Sequence, residues 1–454
     1  MALSKTLWRA LFVLPLAGCA LYTDVSIAPL IVMPTGIERG SDVASMVRKA
    51  DYLRAIELTS LVENRQRRSF QELAALGAAE LYAGRYDAAR RHLRGALDLQ
   101  PPRNVFATIA WDLAQVEYME NNYEASLDWA ESAIDHGLNI KRWHLDYLSA
   151  LRGIHIYRFS GLPSDEMPMK IGRPDVPRVD VKLNKTKTLN AVVDSGAVLS
   201  IISERAAADM NVQQLPNVEG TFYGLLGEPI AVHFALLRSL ELGDIVIENV
   251  PIAIMPDDKM KFLITDKKEF HIDFLLGANL LKEFRIEMDF ARGTIAFTHL
   301  TEAERRPAPD QNLFIEGFRP IVRGMINRRG WFTFVLDTGS EVTFLNQAQL
   351  ARLPVKAIAP KMHDATLQGL GGAKKRGGRL DDIEVGIDRW AGTFRTIPMY
   401  DSGDNERASG ILGENFLKNF RVVLDFGRMR LDLIRPGYSY IATPPQATTL
   451  RAQS

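Results

Sequence analysis

The chain contains one structural unit twice. Val192-Val193-Asp194-Ser195-Gly196-Ala197 recurs as Val335-Leu336-Asp337-Thr338-Gly339-Ser340, 143 positions later (337−194). An isolated Asp-(Ser/Thr)-Gly says little, since average residue usage yields roughly 0.2 chance copies in a chain this long. Here the surroundings repeat as well. Each Asp closes an apolar run and follows a hairpin signature: Val179 to Leu189 turning at Asn184-Lys185, and Ile321 to Trp331 turning at Asn327 to Gly330. A second apolar run comes after each. Nine residues beyond each Asp stands a helix N-cap type, Ser203 (203−194) and Asn346 (346−337). Two carboxylates on two copies of one β-unit form a candidate catalytic dyad.

The repeat continues downstream. Tyr223-Gly224-Leu225-Leu226-Gly227 and Gln368-Gly369-Leu370-Gly371-Gly372 read as glycine-rich hairpin tips. Each half then carries Leu-x-x-(Leu/Ile)-x-x-Gly, from Leu237 to Gly243 and from Leu380 to Gly386. An apolar strand follows, predicted to end at Val250-Pro251 or Ile397-Pro398. The halves close with Leu275-Leu276-Gly277-Ala278-Asn279 and Ile411-Leu412-Gly413-Glu414-Asn415, then with Ile286 to Phe290 and Val422 to Phe426.

The order hydrophobic-hydrophobic-Asp-(Thr/Ser)-Gly, glycine-rich flap, hydrophobic-hydrophobic-Gly resembles the aspartic protease family in its retropepsin-like form. Both halves carry all three elements. The resemblance implies two all-β lobes in one chain, residues 170–300 and 313–437, forming a pseudo-twofold bilobal unit. One departure stands before Ile411, where Ala408-Ser409-Gly410 replaces the family's frequent Asp-Gly. The resemblance implies peptide-bond hydrolysis by Asp194 and Asp337. Two facing carboxylates sharing one proton supply both a base for water and an acid for the carbonyl oxygen, because like charges so close cannot both ionise. Gly196 and Gly339 allow close backbone approach, and the Ser195 and Thr338 hydroxyls can lock the two loops together. By the same resemblance the flaps, with Tyr223, Gly224, Leu225 and Gly227 in one and Gly369, Leu370 and Gly371 in the other, close over an extended peptide. It further implies that the Ser340 hydroxyl bonds the outer oxygen of Asp337. Asp337 is then expected to carry the charge and Asp194, with Ala197 in the matching place, the proton. The alternative is a fold of this type kept for binding peptides without cleaving them.

Residues 1–18 read as a secretion signal: Lys5 and Arg9, the apolar stretch Leu11 to Leu16, then small residues. Leu16-Ala17-Gly18-Cys19 resembles a bacterial lipoprotein cleavage site, and Cys19 is the one cysteine of the chain, with no partner for a disulfide. Lipidation is therefore expected at Cys19. Ala20 in the following position favours, by the family rule, the outer membrane facing the periplasm. The whole chain has 55 basic and 55 acidic residues, and loss of residues 1–18 removes two cations, giving (55−2)−55 = −2. That balance argues against a nucleic-acid partner.

Residues 36–158 have a different texture, rich in Ala, Leu, Arg and Glu at helical spacing. Tyr52-Leu53-Arg54-Ala55, Tyr86-Asp87-Ala88-Ala89 and Tyr123-Glu124-Ala125-Ser126 mark a repeat, the first two 34 apart (86−52), the third 37 further (123−86). This resembles the tetratricopeptide period, with Ala50 and Asn121 standing where the middle unit has Gly84. Three units and a closing helix from Lys141 to Tyr157 are expected to form a small solenoid that holds a substrate or a partner protein. Linkers are expected at Ser160 to Met169 and Thr301 to Asn312, and a disordered tail at 441–454. The eight histidines lack metalloprotease pairing, and no second cysteine exists for a thiolate zinc site, so neither metal nor cofactor is expected. Gly371 to Gly378 has a superficial phosphate-loop look but lacks Lys-(Ser/Thr), and reads as a basic flap.

Overall fold

A computed structural model describes residues 25–30, 43–62, 68–224, 227–265, 268–351, 363–368, 374–401 and 407–435. The signal segment, Cys19 and the 441–454 tail lie outside the described residues. The chain opens with strand β1 (Val25–Pro29). Seven helices follow: α1 (Val43–Arg48), α2 (Tyr52–Val62), α3 (Phe70–Tyr82), α4 (Tyr86–Asp98), α5 (Arg103–Met119), α6 (Tyr123–Asp135) and α7 (Arg142–Ala150). They form three antiparallel pairs, and each repeated tyrosine opens the second helix of its pair. The turn before each is made by a residue with positive φ two places earlier: Ala50 at 55°, Gly84 at 71° and Asn121 at 61°. The backbone repeat is therefore more regular than the sequence, since Ala50 and Asn121 adopt the left-handed conformation that glycine enters without strain. The closing helix stops at Ala150 rather than Tyr157, because Gly153, at φ 73°, turns the chain away.

The first lobe comprises β2 (Arg158–Gly161), β3 (Ser164–Pro168), β4 (Arg178–Leu183), β5 (Lys187–Val193), β6 (Ser200–Ser203), helix α8 (Glu204–Asp209), β7 (Gln214–Tyr223), β8 (Pro229–Leu242) and β9 (Ile245–Met255). It continues through β10 (Lys261–Thr265), β11 (Lys268–His271), β12 (Phe274–Leu276), α9 (Ala278–Leu281), β13 (Phe284–Asp289) and β14 (Thr294–His299). The second lobe comprises β15 (Leu313–Glu316), β16 (Arg319–Ile326), β17 (Arg329–Leu336), β18 (Phe344–Asn346), α10 (Gln347–Ala351), β19 (His363–Gln368), β20 (Lys374–Ile387) and β21 (Trp390–Tyr400). It ends with β22 (Gly410–Leu412), α11 (Glu414–Leu417), β23 (Arg421–Asp425) and β24 (Arg430–Ile434).

The two lobe sheets match strand for strand. One runs β2-β9-β6-β12-β5-β4-β8-β7, and the other β1-β21-β18-β22-β17-β16-β20-β19 with β15 added on β16. The N-terminal strand β1 thus fills in the second lobe the place that β2 fills in the first. Both predicted hairpins turn through paired left-handed residues, Asn184 and Lys185 at 48° and 58°, Asn327 and Arg328 at 49° and 58°, the geometry of a two-residue hairpin.

Two expectations need correction. The supposed linker Ser160 to Met169 contains strands β2 and β3, which add to the free edges of β9 and β14. Edge positions tolerate the proline and charges that read as linker. Likewise β9 and β21 do not end at Pro251 and Pro398. The residues beyond each proline find a new parallel partner, Ile252 to Met255 on β6, and Met399 and Tyr400 on β18.

A five-stranded sheet, β24-β23-β13-β14-β3, joins the lobes. Its centre is the antiparallel pair β13–β23, with Glu287 opposite Val423, so the penultimate strand of one half hydrogen-bonds to the penultimate strand of the other. The helices reach both lobes. Tyr52 of α2 meets Phe314 of the second lobe with ring centroids 5.3 Å apart, and Tyr147 of α7 meets Phe234 of the first at 4.8 Å.

Candidate active site

Each Asp sits where a strand is threaded by its lobe's later return strand. β5 ends at Val193, and the Asp194 N–H donates to Leu276 O (2.9 Å) on β12, which runs parallel to β5. In the second lobe Asp337 N–H donates to Leu412 O (3.0 Å) on β22, parallel to β17. The threading is tight enough to require glycine. A Cβ on Gly277 would stand 2.4 Å from the Leu199 carbonyl carbon, and one on Gly413 would stand 2.5 Å from Val342 O.

A latch that the sequence reading missed holds each crossing. Ser200 N–H and hydroxyl both donate to Asn279 Oδ1 (2.7 and 3.0 Å), and Gly277 N–H donates to Ser200 Oγ (3.0 Å). Thr343, Asn415 and Gly413 repeat the pattern at 2.9, 2.8 and 3.1 Å. The signal was in the duplication: a hydroxyl residue six places after each Asp and an Asn two places after each return-strand Gly.

The two loops are locked to one another across the pseudo-twofold. Ser195 N–H donates to Thr338 Oγ1 (3.0 Å), whose hydroxyl donates to Val193 O (2.7 Å). In mirror fashion Thr338 N–H donates to Ser195 Oγ (3.1 Å), whose hydroxyl donates to Leu336 O (2.7 Å). Gly196 and Gly339 then lie against the opposite carboxyls, Gly196 against Asp337 and Gly339 against Asp194. Both aspartates are fully buried. Their Oδ1 atoms take backbone N–H groups, no backbone group or other side chain donates to their buried Oδ2 atoms, and the two carboxyls are hydrogen-bonded to one another.

The carboxyls are not equivalent. Asp194 Oδ1 accepts from Gly196 and Ala197 N–H, both at 2.9 Å, whereas Asp337 Oδ1 accepts from Gly339 N–H alone, at 3.0 Å. Burial pushes Asp194 up to about 7, tempered by those donors. Burial, then the charge of Asp194 beside it, hold Asp337 well above the usual carboxylate range. Asp194 is the first to ionise and Asp337 keeps the shared proton. This reverses the sequence expectation, and the reason is visible: the Ser340 hydroxyl donates to Val342 O (2.9 Å), not to Asp337. Arg319, buried at the start of β16, acts on both carboxyls through its charge and lowers each, a contribution no motif announced.

Of the expected flap residues, Tyr223 ends β7. Gly224 N–H donates to Glu228 O (3.0 Å), and Gly227, at φ 84°, donates to Gly224 O (2.9 Å). Leu225 lies outside the described residues, as do Gly369, Leu370 and Gly371, although β19–β20 pairing is described up to Gln368 opposite Lys374. Among the described residues no group of three or more His, Cys, Asp and Glu side chains is disposed to hold a metal ion.

Comparison with known proteins reaches both lobes. Residues 179–280 match the family "Aspartyl protease" and residues 317–425 match "Retroviral aspartyl protease", each stretch containing one Asp-(Ser/Thr)-Gly. No curated protein matches the chain. Among solved structures, a retropepsin-like aspartic protease from Rickettsia conorii is similar at 15% identity over 32% of this chain and 97% of that one, TM-score 0.22. Conglutin gamma, a basic 7S globulin from lupine seeds, is similar at 12% identity over 60% and 94%, TM-score 0.34. The chain carries two aspartyl protease domains in tandem behind a helical region, an arrangement that supports a proteolytic function and implies a peptide or protein substrate.

Proposed function

We propose that this protein is a lipid-anchored aspartic endopeptidase whose single chain supplies both halves of the dyad. The observation that carries the reading is the pair of buried carboxyls, one from each side of the pseudo-twofold, hydrogen-bonded to one another on two loops that the Ser195 and Thr338 hydroxyls lock together. Ionised Asp194 takes a proton from water, and the resulting hydroxide attacks the peptide carbonyl carbon. Protonated Asp337 gives its proton to the carbonyl oxygen, leaving a tetrahedral diol. Return of a proton to the amide nitrogen then breaks the C–N bond. General acid–base assistance of this kind contributes on the order of 10²–10⁴ in rate. The flap hairpins β7–β8 and β19–β20 close over the peptide and exclude water.

The helical pairs, read as tetratricopeptide-like repeats, recruit substrate or a partner protein. Acyl chains on Cys19 hold the enzyme at the bacterial outer membrane, facing the periplasm. Among the described residues no helix is long and apolar enough to cross a membrane. Full-length protein should cleave an unstructured protein substrate, and Asp194→Asn and Asp337→Asn should each abolish cleavage. Activity surviving in either variant would refute the dyad, and peptide binding without cleavage by the unmodified protein would identify a binding module instead. Cys19→Ser should abolish lipid labelling.

A further inference from the structure

Strand alternation gives the first flap hairpin one apolar face. Val218, Gly220 and Phe222 of β7 lie on it with Ile230, Val232 and Phe234 of β8, since Gly220 pairs with Val232 and Phe222 with Ile230. All six are buried. On the opposite face Glu219 and Ala231 are exposed, and Thr221 and Tyr223 are half-buried. A two-stranded hairpin with such a face is stable only where something covers it.

The cover comes from α7. Trp143, in its first turn, stacks on Phe234 with ring centroids 5.5 Å apart and meets Phe222 edge-on at 6.0 Å. Tyr147, one turn on, meets Phe234 at 4.8 Å. The close approach needs glycine on the flap strand: a Cβ on Gly220 would stand 3.1 Å from the Trp143 ring and 2.8 Å from that of Phe234. Trp143 itself is only half-buried, whereas Leu145 and Leu148 are buried in the core. The leucines seat the helix, and the indole is left to the flap.

The same segment reaches the first dyad crossing. Beyond α7, Tyr157 is buried, and its hydroxyl oxygen accepts from Asn279 Nδ2 (2.8 Å). Asn279 is the latch residue whose Oδ1 holds Ser200. Fourteen positions (157−143) thus connect the flap strand to the crossing that positions Asp194.

We infer that Trp143 is a positioning residue: through it the helical region holds the first flap in its covering position before a peptide arrives. This rests on the proteolytic reading above and deepens it, giving the helices a part in the reaction besides recruitment. A flap held beforehand need not be ordered by the peptide. Where the flap is loose, only its covering fraction binds, and apparent affinity falls by that fraction.

The test compares full-length parent, Trp143→Ala and Trp143→Phe by amide hydrogen exchange and by cleavage of an unstructured octapeptide. Trp143→Leu replaces the alanine variant should that fail to fold. In the free protein, amides from Gly220 to Phe222 and from Ile230 to Val232 should exchange about 10-fold faster or more in Trp143→Ala, through local opening. KM should rise by about 10-fold, with kcat within about two-fold because saturating peptide itself holds the flap. Trp143→Phe should restore both. A merely structural role would lower the folded fraction, hence kcat, and leave KM in place. Unchanged exchange in the flap, or a fall in kcat with KM unmoved, overturns the proposal. If no peptide is cut, the protease reading fails separately, and the exchange comparison, which needs no activity, still decides whether Trp143 holds the flap.

Discussion

Gly339 stands so close to Asp194 that a methyl group there would lie 2.2 Å from the carboxyl carbon. The carboxyl can give way only by leaving the two backbone N–H groups that hold its Oδ1. Gly339→Ala should therefore keep the fold of both lobes but displace Asp194, with kcat falling about 100-fold or more, the cost of an ångström-scale misplacement at reacting groups. Circular dichroism beside kcat measurement checks this. Unchanged kcat would mean that the dyad tolerates an ångström-scale displacement of Asp194.

The Ser195–Thr338 exchange makes an equally specific demand. Thr338→Val keeps the shape but leaves Ser195 N–H and Val193 O without their partner in a dry site, each worth about 1–3 kcal/mol. Thr338→Ser retains the hydroxyl. Chemical denaturation should rank the serine variant close to the parent and the valine variant well below it.

Hydrolysis requires one ionised and one protonated carboxyl. With Asp194 raised to about 7 and Asp337 held well above the usual carboxylate range, both stay protonated in acid, and kcat/KM should rise through an acidic limb centred near pH 7. The enzyme should then be nearly silent at pH 4, checked with a pH-insensitive peptide reporter. Ala197→Ser should leave the limb in place, because the matching Ser340 spends its hydroxyl on a backbone carbonyl.

Glu414, beside the second threading glycine, is buried with both carboxyl oxygens lacking a hydrogen bond, and burial, then the nearby charge of Asp175, hold it well above its usual range. A carboxyl raised on folding stabilises the native state below its unfolded pKa of about 4.3, and that contribution is lost as pH rises. Glu414→Gln should thus raise Tm by a few degrees at pH 8 and leave it nearly unchanged at pH 4. Equal shifts at the two pH values would refute the assignment.

What was legible in the sequence was what repeats. The two Asp-(Ser/Thr)-Gly loops, their hairpins and the return-strand glycines were readable because threading admits no other residue at Gly277 and Gly413. The Ser200–Asn279 and Thr343–Asn415 latches repeat too, but small polar residues at such spacing have many uses and carry no period. Pairing between edges was illegible: nothing in Arg158–Gly161 or Val25–Pro29 says which distant strand will accept it. The protonation order also escaped, because it turns on one extra backbone N–H at Asp194 and on where the Ser340 hydroxyl points.

Strand β1 has a further consequence. Val25–Pro29 is paired along its length with Trp390–Phe394, and Arg435 donates to Ile27 O (2.7 Å). With acyl chains on Cys19, as proposed, only six chain steps separate the lipid from that strand (25−19), about 20 Å even when fully extended. The catalytic body is then not a tethered globule sweeping the periplasm but a fixture on the bilayer surface, its second lobe nearest the headgroups. Its working radius is set by the molecule itself, and the chains it can cut are those that come within its own diameter of the membrane.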